Sequence, residues 1–518
     1  MILERTNNTK RNIIWGWINK FLKIICPFII RTIIIKKFGV QYLGLNSLFT
    51  SVLSMLSLAE MGFDSAVVFI MYKGVAENNE QQLSALLLFL KKVYYVVGTV
   101  VLIVGCICIP FLKYLIKDIN SVPADMNIYI IYMVFLANTI SSYYFGGYCN
   151  SIINAYQRCD IISNISSVVS IVSFLIQLII LQMNNYYYYI ISLPIFTIIT
   201  NLLTVYQSRK LFPNIKPKGE ISHEEKKELI KLVRGTFMAK LGGVLSVSLD
   251  NVVASAFLGL TVLAYYSNYS YIITAIQGFL VVIYTSMQAG IGNSIILDSK
   301  EKNYQNMCMF TFMFNWIIGI CTICFMYLFQ PFMQLWIGPE GILPNIVLVF
   351  ICLNFYFSIN DAILGTYKAA LGIWWEDRYR CILAGIVNLI LNIGAVFLLR
   401  SYGEYYALIG IVGSTIVAQL FILTPWAAIV TFKGYFEHGL IKYYLQLFTY
   451  FAVTAALIIL CYPIFAKVPM ALGIKGILNF LIRLVICIVV TNVVYVIIYR
   501  NTNNYKKAKE FVLTKLRR

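Results

Sequence analysis

Three cations, Lys20, Lys23 and Arg31, stand inside the first long apolar run of the chain, in the stretch NKFLKIICPFIIR of residues 19–31. A charged side chain at bilayer depth costs ~3 kcal/mol or more, so such residues usually face a cavity, a partner or water. On a helix turning about 100° per residue, the three cations and Pro27 fall within an arc of about 80°. Lys20 and Arg31 are then roughly 16 Å apart along the axis, a ladder of donors rather than a point site. An extended anion is the natural occupant. Pro27 removes one backbone donor between the lysines and Arg31, and is expected to let the two ends of the ladder move relative to each other. The competing reading has Lys20 and Lys23 snorkelling to one interface and Arg31 to the other.

The acidic residues are fewer. Glu60 and Asp64, in LSLAEMGFDSA, form an i, i+4 pair, and Asp250 lies in SVSLDNVVASAFLG. A desolvated carboxylate near a cation can take up a proton or an ion, which makes these three the candidates for ion coupling; the alternative is ion pairs that hold helices together. Asp361 and Arg483 read as structural. His223 and His438, the only histidines, fall in or beside loops, and no HExxH, GxSxG or GxxxxGK[ST] pattern occurs. No cofactor or metal site is expected, and no ATPase or other enzyme. Cys321-Thr-Ile-Cys324 reads as packing in an apolar helix, and the tyrosine run 186–189 with Trp374-Trp375 as an interfacial aromatic belt.

These residues need elements to hold them, and the composition says which. The chain is 60% hydrophobic and 12% charged, with mean hydropathy +0.78, against ~25% charged in a soluble domain. A membrane span needs ~20 mostly apolar residues. About fourteen windows qualify, near 12–35, 43–70, 87–113, 127–153, 160–182, 186–208, 231–257, 262–293, 304–328, 343–367, 379–399, 403–432, 440–464 and 471–499. The expectation is an all-α integral membrane protein. The start, MILERTNNTKRN, lacks the pattern of a removable signal peptide. With a cytoplasmic N-terminus, about 28 of the 41 Lys and Arg fall in inside loops and tails, so both termini are expected in the cytoplasm of a cell whose plasma membrane holds the protein. The net charge of +19 then reflects topology and anionic headgroups rather than nucleic acid. The basic tail 500–518 reads either as a short helix on the inner leaflet or as a solvated segment.

The chain also repeats itself. Sliding residues 12–50 forward by 220 positions lays FGVQYLGLNSLF, from Phe38, on LGLTVLAYYSNY, from Leu258. Gly39 then matches Gly259, Leu43 matches Leu263, Ser47 matches Ser267, Phe49 matches Tyr269, Lys20 matches Lys240, and Arg31 matches Asn251. An even number of spans separates the copies, so the halves are parallel repeats, and repeats of this kind place a substrate site at their interface. The expected organisation is a six-helix bundle over 1–208, a cytoplasmic linker over 209–230, a second six-helix bundle over 231–432, two further transmembrane helices over 433–500, and the tail 501–518. Spans one, two, seven and eight are expected to line the cleft, with Lys20, Lys23, Arg31, Lys240, Asn251 and Asn268 as substrate-binding candidates.

The stretch FGVQYLGLNSLFTSVLSMLSLAEMGFDSAVVFIMYKGVAENNEQQL, residues 38–83, resembles the start of bacterial polysaccharide flippases of the Wzx type, and LDNVVASAFLGLTVLAYYSNYSYI, residues 249–272, resembles their second-half motif. These flippases belong to the multidrug/oligosaccharidyl-lipid/polysaccharide exporter superfamily. The resemblance implies translocation of an undecaprenyl-diphosphate-linked oligosaccharide for capsule, O-antigen or exopolysaccharide synthesis, with basic residues meeting the diphosphate. Membrane lipids, a proton or sodium gradient and polysaccharide assembly proteins would be its partners. Asn251 in place of a second arginine argues against a symmetric two-arginine clamp. A drug/cation antiporter of the same superfamily fits the basic stripe poorly, a polymerase or ligase would need a large external loop, and a scaffold would leave the intramembrane charges unexplained.

Overall fold

The computed structural model describes residues 5–57, 63–117, 119, 122–373, 376–467 and 476–516. The described residues are helical, without strands. Among the described residues, ten helices are long and apolar enough to cross a membrane, eleven if the pair Ile128–Tyr144 and Cys149–Ala155, bent by 51°, counts as one span. The other three expected windows also carry helices: 12–35 lies in a helix holding the three cations, 43–70 is shared by two shorter helices, and 231–257 lies within one long helix. The protein is therefore an all-α, multi-pass membrane protein.

By contacts the chain divides into two units, Met1–Ala264 and Tyr265–Arg518. The first holds α1 (Arg5–Lys37), α2 (Val40–Leu56), α3 (Phe63–Ala76), α4 (Glu80–Cys108), α5 (Ile128–Tyr144), α6 (Cys149–Ala155), α7 (Cys159–Gln182), α8 (Tyr186–Leu211) and α9 (His223–Leu258). The first helix of the expected second bundle, α9, thus packs with the first unit, against α2 and α3. Polar residues open several of these helices. The Asn79 side chain accepts the Gln82 amide at the start of α4, and Ser222 and Glu225 form a reciprocal capping box at the start of α9.

Two glycines carry the repeat into the structure. Gly39 ends α1 at φ 111° and ψ 166°, and Gly259 ends α9 at φ 98° and ψ 173°. Only glycine adopts this backbone region readily, so each long helix stops and the next begins at once. Matched residues beyond the turns are buried alike: Leu43 with Leu263, and Phe49 with Tyr269. Phe49 packs edge-on to Tyr132, while Tyr269 packs on Phe329 and donates to Gln330 Oε1 at 2.7 Å.

The second unit holds most of α10 (Leu260–Leu297), then α11 (Lys300–Trp336), α12 (Asn345–Asn360), α13 (Ala362–Leu371), α14 (Arg380–Leu399), α15 (Glu404–Ala418), α16 (Thr424–Thr431), α17 (Leu440–Leu460), α18 (Gly476–Tyr499) and α19 (Asn503–Leu516). The basic tail is α19, and it docks on α11. Tyr505 stacks on Trp316 with ring centres 6.0 Å apart, and Asn504 donates to Tyr450 Oη at 3.1 Å. Between α14 and α15, fully buried Asn388 and Asn392 join Ser414 and Thr415 in a polar ladder. Such pairing is what a polar side chain needs inside a membrane protein. Cys321 and Cys324 are free thiols packed on α11.

Candidate functional site

The basic stripe belongs to α1, and α7 holds α1 in place. Asn12 donates to the Gln157 carbonyl at 2.9 Å and accepts the Asp160 amide at 2.6 Å. Two turns further on, buried Asn19 donates to the Ser163 carbonyl and to Ser167 Oγ, each at 3.2 Å. At the far end Lys37 donates to the Leu181 carbonyl, Gln182 Oε1 and Asn184 Oδ1, at 3.2, 2.8 and 3.2 Å. Rising numbers on one helix meet rising numbers on the other, so the two run parallel. Asp160, itself buried, closes the near end by pairing with Arg11 at 3.1 Å and Arg158 at 2.9 Å.

This polar seam fixes the rotation of α1. Asn12, Asn19, Ile30, Ile34 and Lys37 share an arc of roughly 60°, and its centre lies about 80–100° from Lys20 and Arg31. Lys20 and Arg31 are half-buried, and Lys23 is exposed even though an ideal helix would carry it towards the seam. α1 continues as a helix through Pro27. Because Pro27 has no N–H, the Lys23 carbonyl lacks its usual intrahelical donor.

Aromatic side chains gather around Arg31, which lies within electrostatic reach of Tyr186 and Tyr189 on α8. Phe38, Tyr42 and Tyr186 pack on one another at 4.7–5.6 Å. Tyr42 donates to Asp125 at 2.7 Å, and Tyr186 to Asn46 Oδ1 at 2.6 Å. The tyrosine run therefore splits: Tyr186 and Tyr189 turn inward, and Tyr188 stays exposed as an interfacial residue would. Trp374 and Trp375 lie outside the described residues.

The other described candidates stand on other helices. Lys240 is in α9, but its side chain lies outside the described residues. Asn251 donates to Ser51 Oγ at 2.9 Å and so ties α9 to α2. Asn268 is fully buried and belongs to the second unit. Glu60 lies outside the described residues. Asp64, in the first turn of α3, accepts the Ser151 hydroxyl from α6. Asp250 is buried at 4% exposure in α9.

Sequence reasoning missed the seam, although its signal was present: Asn12 and Asn19 are seven residues apart, hence on one helix face. It also missed a buried charge cluster in the second unit. There Lys368 pairs with Asp377, and Arg380 bonds Asp377 at 2.9 Å and the Leu423 carbonyl at 3.2 Å. Asp361 lies within electrostatic reach of Lys368 and Arg380, and Arg483 donates to Asn479 at 2.7 Å.

A family model described as "Polysaccharide biosynthesis protein" matches residues 9–289, more than half of the chain and the whole of α1 to α9 apart from the first four residues of α1. The chain belongs to the polysaccharide biosynthesis protein family. The resemblance read from residues 38–83 and 249–272 is thereby borne out at the level of the family. Among solved structures, the lipid II flippase MurJ in an inward closed conformation matches with a TM-score of 0.64 at 14% identity, covering 95% of this chain and 99% of that one. The MATE transporter VcmN of Vibrio cholerae, solved as a point mutant, matches with a TM-score of 0.54 at 15% identity over 84% and 98% of the two chains. An inward-facing multidrug resistance MATE family transporter of the MOP superfamily matches at 0.53 and 14% identity, over 81% and 98%. At these identities the likeness is one of fold, so this member of the polysaccharide family shares its fold with those transporters. No curated protein matches the sequence.

Proposed function

We propose that this protein is a flippase that carries undecaprenyl-diphosphate-linked oligosaccharide units from the inner to the outer leaflet of the cytoplasmic membrane, for capsule, O-antigen or exopolysaccharide synthesis. The observation that carries this reading is the α1 stripe of Lys20, Lys23 and Arg31, on a helix whose rotation a polar seam to α7 fixes through Asn19 and Lys37, inside a chain of the polysaccharide family. Three cations spread along roughly 16 Å suit a diphosphate that moves along a track. Arg31 supplies a planar fork and the lysines mobile point charges. Lys240, Asn251 and Asn268 are proposed to contribute further polar contacts.

The N- and C-termini are proposed to be cytoplasmic, on the balance of Lys and Arg between the loops. Energy is proposed to enter through a proton or sodium gradient. Asp250, buried in α9, Asp64, which accepts the Ser151 hydroxyl, and Glu60 are the three acids proposed to carry the coupling. A drug or other cation would meet repulsion along the α1 stripe. The test is transport of labelled lipid-linked oligosaccharide by the purified protein in proteoliposomes. Saccharide-dependent movement that Lys20→Ala and Arg31→Ala abolish supports the flippase, whereas efflux of organic cations without movement of the lipid-linked sugar overturns it.

A further inference from the structure

The second unit contains a cavity of about 560 Å3 that the flippase reading does not use. That volume is within the usual range for small-molecule sites. One wall is a stripe of α10, Ile283, Met287 and Ile291; the facing wall is a stripe of α11, Phe310, Phe314 and Ile317. The helices run antiparallel, so both apolar stretches lie at the same end. At the other end the lining turns polar, with Ser294, Asp298 and Asn306. The apolar stretch covers nine residues on α10 and eight on α11, a rise of roughly 10–12 Å, which fits within one leaflet of a ~30 Å hydrocarbon core.

The polar end carries both signs of charge, and Glu301, which accepts from Gln305 Nε2, stands there beside Lys302. Asp298 is already engaged, by Lys302 at 2.7 Å and by the Ser294 hydroxyl at 3.2 Å. Lys507 of α19 donates to Gln305, the neighbour of Asn306. Phe511 of the same helix lines the cavity and packs edge-on to Phe310, with ring centres 5.5 Å apart. Residues 500–518 carry seven Lys or Arg and a single acid, Glu510. The docked tail thus sets positive charge beside a slot that is apolar inside and polar at its mouth.

We propose that this cavity holds one acyl chain of an anionic phospholipid of the adjacent leaflet, with the phosphate at Lys302 and Lys507 and the chain between α10 and α11. Charge complementarity selects the head group, and the leaflet-matched length selects an ordinary lipid chain over a long polyprenyl tail. Gly290 provides the handle, because it lines the cavity and a Cβ there would meet nothing within 4 Å. Gly290→Leu fills the slot without a backbone clash. Gly292→Leu is the control, since Gly292 also has open space but does not line the cavity.

The full-length protein is purified from membranes containing phosphatidylglycerol and phosphatidylethanolamine, and retained lipid is read by native mass spectrometry. The wild type is expected to keep phosphatidylglycerol, Gly290→Leu to lose it by roughly tenfold or more, and Gly292→Leu to keep it. Lys302→Gln with Lys507→Gln should remove the preference for the anionic lipid. Retention unchanged in Gly290→Leu, a zwitterionic lipid retained equally well, or a polyprenyl diphosphate found in its place overturns the proposal. A phosphatidylglycerol bearing a photoreactive chain, applied to the wild type, gives a second reading. Crosslinks should fall in 283–294 and 306–317, and their absence there also overturns it.

Discussion

Gly44 of α2 lies against the backbone of Leu260, the first residue of α10, so closely that a methyl group on Gly44 would clash with the Leu260 carbonyl. The second copy of the repeated turn is thus pressed onto the helix that follows the first copy, and Asn251–Ser51 clasps the same pair of segments further along. Gly44→Ala is expected to destabilise the protein by ~1–3 kcal/mol, the usual cost of overpacking a tight contact. Thermal unfolding in detergent measures it, and a variant as stable as the wild type would mean that the two segments are free to separate.

The α1–α7 seam should be weak per bond and decisive for function. Asn19→Ala is expected to cost ~1–2 kcal/mol. A double-mutant cycle with Ser167→Ala should return a coupling of ~0.5–1.5 kcal/mol, in line with other buried polar pairs in membrane proteins. Transport should fall more than stability does, because a freed α1 no longer presents its cations at one angle.

Arg31→Lys should impair export more than Lys23→Arg, since only arginine offers a fixed bidentate fork. Alanine at Lys20 or Arg31 should reduce export roughly tenfold or more, given ~1.5–3 kcal/mol for a charge-assisted contact. Export is normalised to membrane-inserted protein. Normal transport by these variants would leave the cations as snorkelling residues and the substrate charge met elsewhere.

Asp250→Asn should abolish the dependence of transport on a proton or sodium gradient while sparing insertion. Asp64→Asn should change it little, because the amide can still accept the Ser151 hydroxyl, and Glu60→Gln serves as the third member of the set. Uptake measured with and without each gradient separates them. An unchanged gradient response in all three would assign the acids to helix packing.

The linker before α9 should loosen in acid. Partial burial opposes ionisation of Glu225, but the Ser222 cap, Gln82 and Lys73 outweigh it and hold the carboxyl below its usual range. A depressed folded-state pKa contributes stability above the unfolded value of ~4.3, and that stability is lost as pH falls through the lower folded value. The protection of amides 212–230, taken relative to their intrinsic exchange rates at each pH, should therefore fall as pH drops below about 4, and Glu225→Gln should remove that pH dependence of protection. Equal protection at pH 7 and pH 3 in the wild type would count against the cap.

Apolar windows were legible because bilayer thickness imposes a length on every span, and the repeat was legible because Gly39 and Gly259 answer the same backbone demand. The seam was not, since Asn12 and Asn19 look like ordinary polar residues until Ser163, Ser167 and Asp160 arrive from more than 140 positions away. The stripe was legible as charge, but its presentation depended on that unseen partner. Asn251 is read for substrate, and its amide also donates to Ser51, a contact that spacing alone does not announce. The Lys368–Asp377–Arg380 cluster escaped notice because charges near span ends read as solvated.

The seam joins residues 148 positions apart, Asn19 and Ser167. A ribosome adding ~5–20 residues per second needs on the order of ten seconds to make that stretch. Through that interval α1 has its buried asparagines and its cations but not α7, the helix that satisfies and orients them. α1 therefore waits on the order of ten seconds for the partner that satisfies its asparagines and fixes its angle.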